Sequence, residues 1–360
     1  MIYQADVCVV GAGPGGALLS LLLAKKNISV ILLERHSMIA KEFRGEHVNA
    51  EGEQILKKHG LFKTVENLGL LRMEQLEYWD QGKLFKKVLP ESKVGHLGIH
   101  VPQAHLLTAI LDEAQQSDAF TFMPNTRVTE LLETESGRYY GVKAVQAGQE
   151  ITIESKLIIG ADGRYSTIRK KANIDVTVKD HGYDLLWAKI PAPANWEPSI
   201  KMALVYGMQV SLFTQVNGNI QIGWNIKEGS YSELRKQSFT HFIDQLVKAF
   251  PQLEEAARSH IQSWNDFVLL DVHSSFGEQW NKAGVALIGD AIHTMTPTGA
   301  FGLNCALKDA DILASIIDPD YISELDLMSC ASMRKKEIEK LQAIQIEKEQ
   351  SFASQFMVFA

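Results

Sequence analysis

A chain of 360 residues suits one large domain or two interlocked ones. Its 46% hydrophobic and 22% charged residues are a globular balance that excludes extensive disorder, and a net charge of −7 lacks the basic excess of a nucleic-acid binder. The three cysteines, Cys8, Cys305 and Cys330, lie far apart without a CxxC pair, so neither a disulfide framework nor a metal site is written, and a reducing, cytoplasmic setting is expected.

Residues 6–10 are a short β-branched run, the pattern of a strand buried on both faces. Gly11-Ala12-Gly13-Pro14-Gly15-Gly16 turns it into an apolar helical run over 17–24, and residues 29–33 give a second strand ending at Glu34. The uncharged stretch 7–24 approaches transmembrane length, but four glycines and a proline interrupt it and Asp6 precedes it. It reads as strand, turn and helix, with no stable membrane insertion. Residues 50–59 form a helix stopped by Gly60, and Leu106, Leu107, Ile110 and Leu111 share one helical face after Pro102. Residues 139–145 and 150–154 suggest an antiparallel meander, and 157–160 another buried strand. The stretch 178–275 is strand-rich, with a hairpin signal at Val216-Asn217-Gly218-Asn219 and a helical part at 233–260. Residues 285–288 return to a buried strand, and the chain is helical in pattern from about 304. No repeat or linker is visible, so two domains are expected to interleave.

The glycine hexapeptide is GxGxxG between a strand and a helix. Gly11 allows the tight turn, Gly13 lets the backbone approach a pyrophosphate, and Gly16 lets the helix pack on the strand. Pro14 and Gly15 open the helix, whose free amides and positive dipole end suit phosphates. Glu34 supplies an acceptor for a ribose hydroxyl and disfavours a 2′-phosphate there. The motif predicts an adenine dinucleotide without saying which one.

Two later stretches narrow the choice. Leu157-Ile158-Ile159-Gly160-Ala161-Asp162-Gly163 precedes Ser166-Thr167-Ile168-Arg169, and Gly289-Asp290-Ala291-Ile292-His293 leads through Pro297 to Gly302-Leu303-Asn304. Together with GxGxxG, this set resembles the aromatic-hydroxylase family of FAD-dependent monooxygenases, those with the p-hydroxybenzoate hydroxylase fold, from residue 6 to about 317. The resemblance implies an α/β fold. A Rossmann-like FAD-binding domain with a three-layer β-β-α arrangement (1–70, 101–177 and 280–318) interleaves with an antiparallel-sheet substrate domain (71–100 and 178–279). A C-terminal helical segment, 319–360, follows.

The resemblance also implies roles. Asp290 takes the ribityl chain of FAD, and the helix start at Gly302, Leu303 and Asn304 faces the flavin pyrimidine carbonyl. Arg44, in Phe43-Arg44-Gly45-Glu46-His47, neutralises the pyrophosphate. Asp162 helps hold the pyrophosphate region and assists NADH or NADPH; on its residues alone Asp162-Gly163 is equally a turn and helix cap. Gln103 and Val128 join the cofactor contacts, and Arg35 is either a residue that stacks on adenine or a solvated arginine. His47 and Pro297 are the catalytic candidates, with His47 otherwise a packing histidine. The chain departs from the family pattern at Ile292, Ala300 and Phe301, on the rim of the flavin pocket.

For the substrate side, a two-residue loop at Asn217-Gly218 pairs Val216 with Asn219 and Gln215 with Ile220. Alternation then puts Leu212, Thr214, Gln221 and Gly223 on one face, and Phe213, Gln215, Ile220, Ile222 and Trp224 on the other, core-facing side. The small and polar residues of the first face, together with the family resemblance, make it the expected cavity wall, with an ordinary solvated sheet face as the alternative. The implied reaction uses NADH or NADPH, O2 and a C4a-hydroperoxyflavin to hydroxylate a small, aromatic substrate. The alternatives are a flavin-dependent reductase of a prenyl-type double bond, a halogenase and an FAD-binding protein without turnover. The halogenase signature WxWxIP is not met by Leu186-Trp187-Ala188-Lys189-Ile190-Pro191.

Overall fold

A computed structural model describes residues 1–37, 46–324 and 328–352. The first sheet has the strand order Asn281–Lys282, Val285–Leu287, Gln149–Gly160, Ile2–Val10, Val30–Leu33 and Phe120–Met123. All neighbours are parallel except the first pair. Parallel strands are buried on both faces, which is why they read as continuous apolar runs. Val7 and Val9 face the helices Pro14–Ala24, Gln103–Ala114 and Phe301–Ile316, while Cys8 and Val10 face the opposite layer. Ten of the eleven residues of Pro14–Ala24 are buried, because the sheet and the two other helices enclose it.

The strands expected at 150–154 and 157–160 are one strand, Gln149–Gly160. Its first half pairs antiparallel with Tyr139–Gln146, its last residues pair parallel with Val285–Leu287, and Ile2–Val10 runs along its other edge. The antiparallel ribbon Thr126–Glu133 and Tyr139–Gln146 curls over the Cys8 face, so Val142 and Ala144 pack there. This gives the three layers: ribbon, sheet, helices.

The second sheet has seven strands, in the order Val268–Leu270, Tyr183–Pro191, Asn219–Lys227, Met208–Gln215, Ser199–Val205, Gln75–Asp80 and Lys83–Val88. Its outer face packs on the helices Thr240–Ala249 and Glu254–His260 through Phe242, Leu246 and Ala257. Its inner face meets a cavity shared with the first sheet. The C-terminal helix Met328–Ser351 runs back across the first sheet's ribbon side, with Ala331 and Ile338 in that core. No helix among the described residues is long and apolar enough to cross a membrane.

The hairpin register differs from the expected one. Gln215 pairs with Asn219 and Phe213 with Gln221, so the loop has three residues, Val216-Asn217-Gly218. Asn217 and Gly218 do take positive φ, 68° each. Val216 leaves the ladder because its N–H donates to His100 Nδ1 at 3.3 Å. The shift corrects four assignments. Leu212 pairs with Ile222 and is buried among the helices. Thr214 pairs with Ile220, and its hydroxyl accepts from Trp196 Nε1 and the Ser199 N–H. Phe213 and Gln215, expected on the core side, line the cavity with Gln221. Gly223 shares their face but lies under Trp187, whose ring would be 2.7 Å from a Cβ there.

Candidate functional site

The glycine loop has a division of labour that the backbone makes explicit. Gly11 has φ +106°, and a Cβ on it would lie 2.4 Å from the Ala161 carbonyl. A Cβ on Gly16 would lie 2.0 Å from the Gly11 carbonyl, so helix and strand touch through bare backbone. Gly13 is different: a Cβ there would meet nothing within 4 Å, and the residue borders the cavity. Gly13 is also the N-cap of Pro14–Ala24, with no side chain capping the helix. The first amides thus point at open space, the arrangement that receives phosphate. Glu34, at the end of Val30–Leu33, accepts from the Ala12 N–H and the His36 N–H, both at 3.0 Å, and so pins the loop. Arg35 and Val128 border the same end of the cavity. Arg44 lies outside the described residues.

A second helix opens into the cavity. Gly299 and Ala300 both take positive φ, 77° and 55°, and turn the chain into Phe301–Ile316, again with no side-chain cap. Gly302, Leu303, Asp290 and Pro297 border the cavity at this end. Asn304 does not. It is 2% exposed, accepts from the Asn49 N–H and donates to the carbonyls of His47 and Ala300, so its side chain clamps three segments together.

Asp162 borders the cavity, but its carboxylate caps the short helix Thr167–Lys171. It accepts from the Ser166 hydroxyl at 2.5 Å and the Thr167 N–H at 2.6 Å. Burial pushes its pKa up, against the lowering by these hydrogen bonds. Arg169, from the same motif, donates to the Ala291 carbonyl at 2.7 Å and joins the two later motifs.

On the far side the second sheet supplies a mainly apolar wall, with Gln209, Ser211 and Asn225 among its residues and a hydrogen-bonded polar corner. Leu76, Tyr78, Ile200, Met202, Phe213 and Trp187 alternate inward. At the corner, Glu46 accepts from His100 Nε2 (3.0 Å), Gln215 Nε2 (3.1 Å) and the Gln103 N–H (3.3 Å), and Gln215 also donates to Gln221 Oε1 at 2.6 Å. Because Val216 donates to His100 Nδ1, the His100 proton sits on Nε2. His47 stands beside this corner. Burial, with His100 and His96 nearby, pulls its pKa down to about 4, so at neutral pH it is an uncharged imidazole. His100 and Trp187 belong to none of the cofactor motifs, and Glu46 sits in the Phe43-Arg44-Gly45-Glu46-His47 stretch without a role of its own there; the register moves Phe213 and Gln215 from the core side to the cavity.

The cavity has a volume of about 1580 Å³. A single drug-sized ligand occupies roughly 300–1,000 Å³, so there is room for a cofactor and a substrate together. The residues present fit a flavin dinucleotide. Two uncapped helix starts face one space, one behind the bare Gly13 and one beside Asp290.

Comparison with known proteins agrees. Residues 4–319 match the family model described as FAD binding domain. Over 350 residues the chain is 30% identical to 6-methylpretetramide 4-monooxygenase of Streptomyces rimosus, covering 95% of this chain and 83% of that protein. It is 25% identical over 329 residues to kynurenine 3-monooxygenase of Salinispora tropica, covering 85% and 71%. PqsL of Pseudomonas aeruginosa, solved in complex with 2-aminobenzoylacetate, has the same fold, with a TM-score of 0.80 at 19% identity over 98% of this chain and 96% of that one. On its motifs, its fold and these matches, the chain belongs to the FAD-binding aromatic-hydroxylase family and is an FAD-dependent monooxygenase.

Proposed function

We propose that this monooxygenase uses NADH or NADPH and O2 to hydroxylate an uncharged aromatic ring system held between the flavin and the second sheet. The observation that carries the proposal is the single cavity with two uncapped helix starts on one wall and a mainly apolar, aromatic wall opposite. We take residues 1–70, 101–177 and 280–318 as the FAD-binding unit and 71–100 with 178–279 as the substrate unit. FAD, when bound, supplies the redox chemistry: it accepts hydride from the nicotinamide and activates dioxygen.

The chain's own residues bind and orient. The amides behind Gly13 hold the diphosphate, Glu34 the ribose and Asp290 the ribityl hydroxyls. The amides of Gly302 and Leu303, at the positive end of Phe301–Ile316, stabilise negative charge on the flavin pyrimidine. Phe213, Tyr78 and Trp187 flank the substrate ring and keep water out. Gln215 donates its two amide hydrogens to Glu46 and Gln221 and so orients Gln221, whose own amide nitrogen presents the donor to a substrate oxygen. His47, neutral by burial, can accept or donate one hydrogen bond without bringing charge into the site.

The test has two stages. Denatured, purified protein should release FAD; release of FMN or NAD would end this reading. Reconstituted enzyme should then couple NAD(P)H oxidation to incorporation of isotopically labelled dioxygen into an aromatic product. Double-bond reduction without oxygen consumption, or chloride-dependent halogenation, would replace hydroxylation.

A further inference from the structure

Residues 295–298 of the segment Thr294–Thr298 line the cavity. No strand pairs along residues 296–298. The carbonyls of Thr296 and Thr298 are instead taken by one face of the C-terminal helix Met328–Ser351, and that of Pro297 accepts from the Ala300 N–H. Gln345, 0% exposed, donates both amide hydrogens, one to the Thr296 carbonyl at 2.8 Å and one to the Thr298 carbonyl. Gln342 likewise donates to the carbonyls of Thr294 (3.0 Å) and Ser275 (2.9 Å). Glu349 accepts from the Thr296 hydroxyl at 2.7 Å, and from Tyr183 and His181 on the substrate side. Further back, Arg334, also 0% exposed, donates to Asp309, which holds the Gly289 N–H at 2.8 Å and His293 Nε2 at 2.6 Å.

The positions 334, 338, 342, 345 and 349 are three or four apart, so they form one stripe along the helix. That stripe follows the segment from Gly289 to Thr298. A helix normally presents apolar side chains to a core; this one presents amide donors at alternate carbonyls, in the manner of a neighbouring strand.

We infer that the C-terminal helix sets the position of the Thr294–Thr298 segment, with Gln345 as the positioning residue that holds the cofactor-facing backbone in register. The arm of the inference that concerns FAD rests on the proposed cofactor site; the arm that concerns the segment itself does not. Gln345 is buried and does not line the cavity, so its removal acts through backbone order.

The experiment compares Gln345→Leu with Ile338→Val in the full chain. Both alter the buried stripe, and only the first removes the carbonyl donors. In apo-protein, hydrogen exchange at the amides of Met295, Thr296 and Thr298 should accelerate in Gln345→Leu and not in Ile338→Val at matched melting temperature. The FAD dissociation constant should rise about 5- to 30-fold in Gln345→Leu, as expected for two neutral hydrogen bonds, with a changed visible circular dichroism of the bound flavin. Equal responses of the two variants, or unchanged exchange and affinity in Gln345→Leu, would overturn the inference. If Gln345→Leu does not fold, Gln342→Leu makes the same comparison at a partly buried position, with a smaller expected effect centred on Met295. A wild-type chain that binds no FAD would sink the cofactor reading, while the exchange result would still decide this one.

Discussion

Single residues show how closely backbone packing and ligand space are interwoven at the glycine loop. Gly13 and Gly16 are three residues apart, and the motif assigns the first to pyrophosphate approach and the second to helix packing. The structure separates them: a methyl on Gly13 enters open cavity, and a methyl on Gly16 enters the Gly11 carbonyl. Gly13→Ala should therefore fold with a stability change below about 1 kcal/mol, since its φ of −69° suits alanine, yet bind FAD weakly. Gly16→Ala should lose several kcal/mol, on the order of an overpacked core site. Urea denaturation with parallel FAD titration checks both; equal loss of stability would mean the two glycines do the same job.

His47 makes a second residue-scale prediction. Its folded pKa is about 4, against roughly 6.5 when unfolded. Between these values the unfolded chain binds the extra proton, so stability falls as pH drops from 6.5 towards 4 and levels off below. At pH 5 the His47 contribution should be a loss of about 2 kcal/mol relative to pH 7.5. His47→Asn should flatten the pH dependence of urea stability by that amount; an unchanged slope would show that His47 is hydrated and titrates normally.

At the scale of elements, the hairpin is the instructive case. Asn-Gly marked a turn correctly, because both residues take positive φ. It did not set the loop length, because two- and three-residue loops both accommodate such a pair. His100, 116 positions earlier, decided it by capturing the Val216 N–H. A one-residue change on one strand exchanges that strand's faces. So Leu212 went to the helices and Phe213 to the cavity, while Gln221 and Ile222 kept their expected sides. Leu212→Ala should cost about 2–5 kcal/mol and leave the substrate response of surviving enzyme near normal. Phe213→Ala should cost less, since Phe213 is only partly buried, and change which aromatic compounds stimulate NAD(P)H oxidation. Thermal melts set beside a substrate panel read this contrast, and the reverse pattern would refute the facing.

At the scale of the whole molecule, the cavity belongs to neither sheet alone. The first sheet brings the three motif segments to one edge, as strand-to-helix turns in a parallel sheet do. The second sheet, built of strands that carry no recognisable motif, closes the opposite side with inward-pointing alternate residues. The C-terminal helix then joins both, through Asp309 and the Thr294–Thr298 segment on one side and through Tyr183 and His181 on the other. Asp309 illustrates the tension in such a junction. Burial pushes its carboxyl up, but His293 and Arg334 outweigh that and hold it below the usual carboxylate range. It is therefore a charged group, fully buried, held in place by hydrogen bonds from Arg334, His293 Nε2 and the Gly289 N–H.

By itself the sequence determined the family, the dinucleotide loop and the order of the three motifs, because those depend on short-range constraints. A backbone that must turn tightly or pass within touching distance of another accepts only glycine, and such positions are visible in any chain. Buried parallel strands are likewise visible as unbroken apolar runs. Only the tertiary structure decided that Asp162 caps a helix, that Asn304 clamps segments instead of facing the cavity, and which hairpin face meets the substrate. It alone brought Glu46, His100 and Glu349 to the cavity. Each of those outcomes turns on a hydrogen-bond partner chosen in space, and a polar side chain carries no local mark of which distant donor or acceptor will satisfy it.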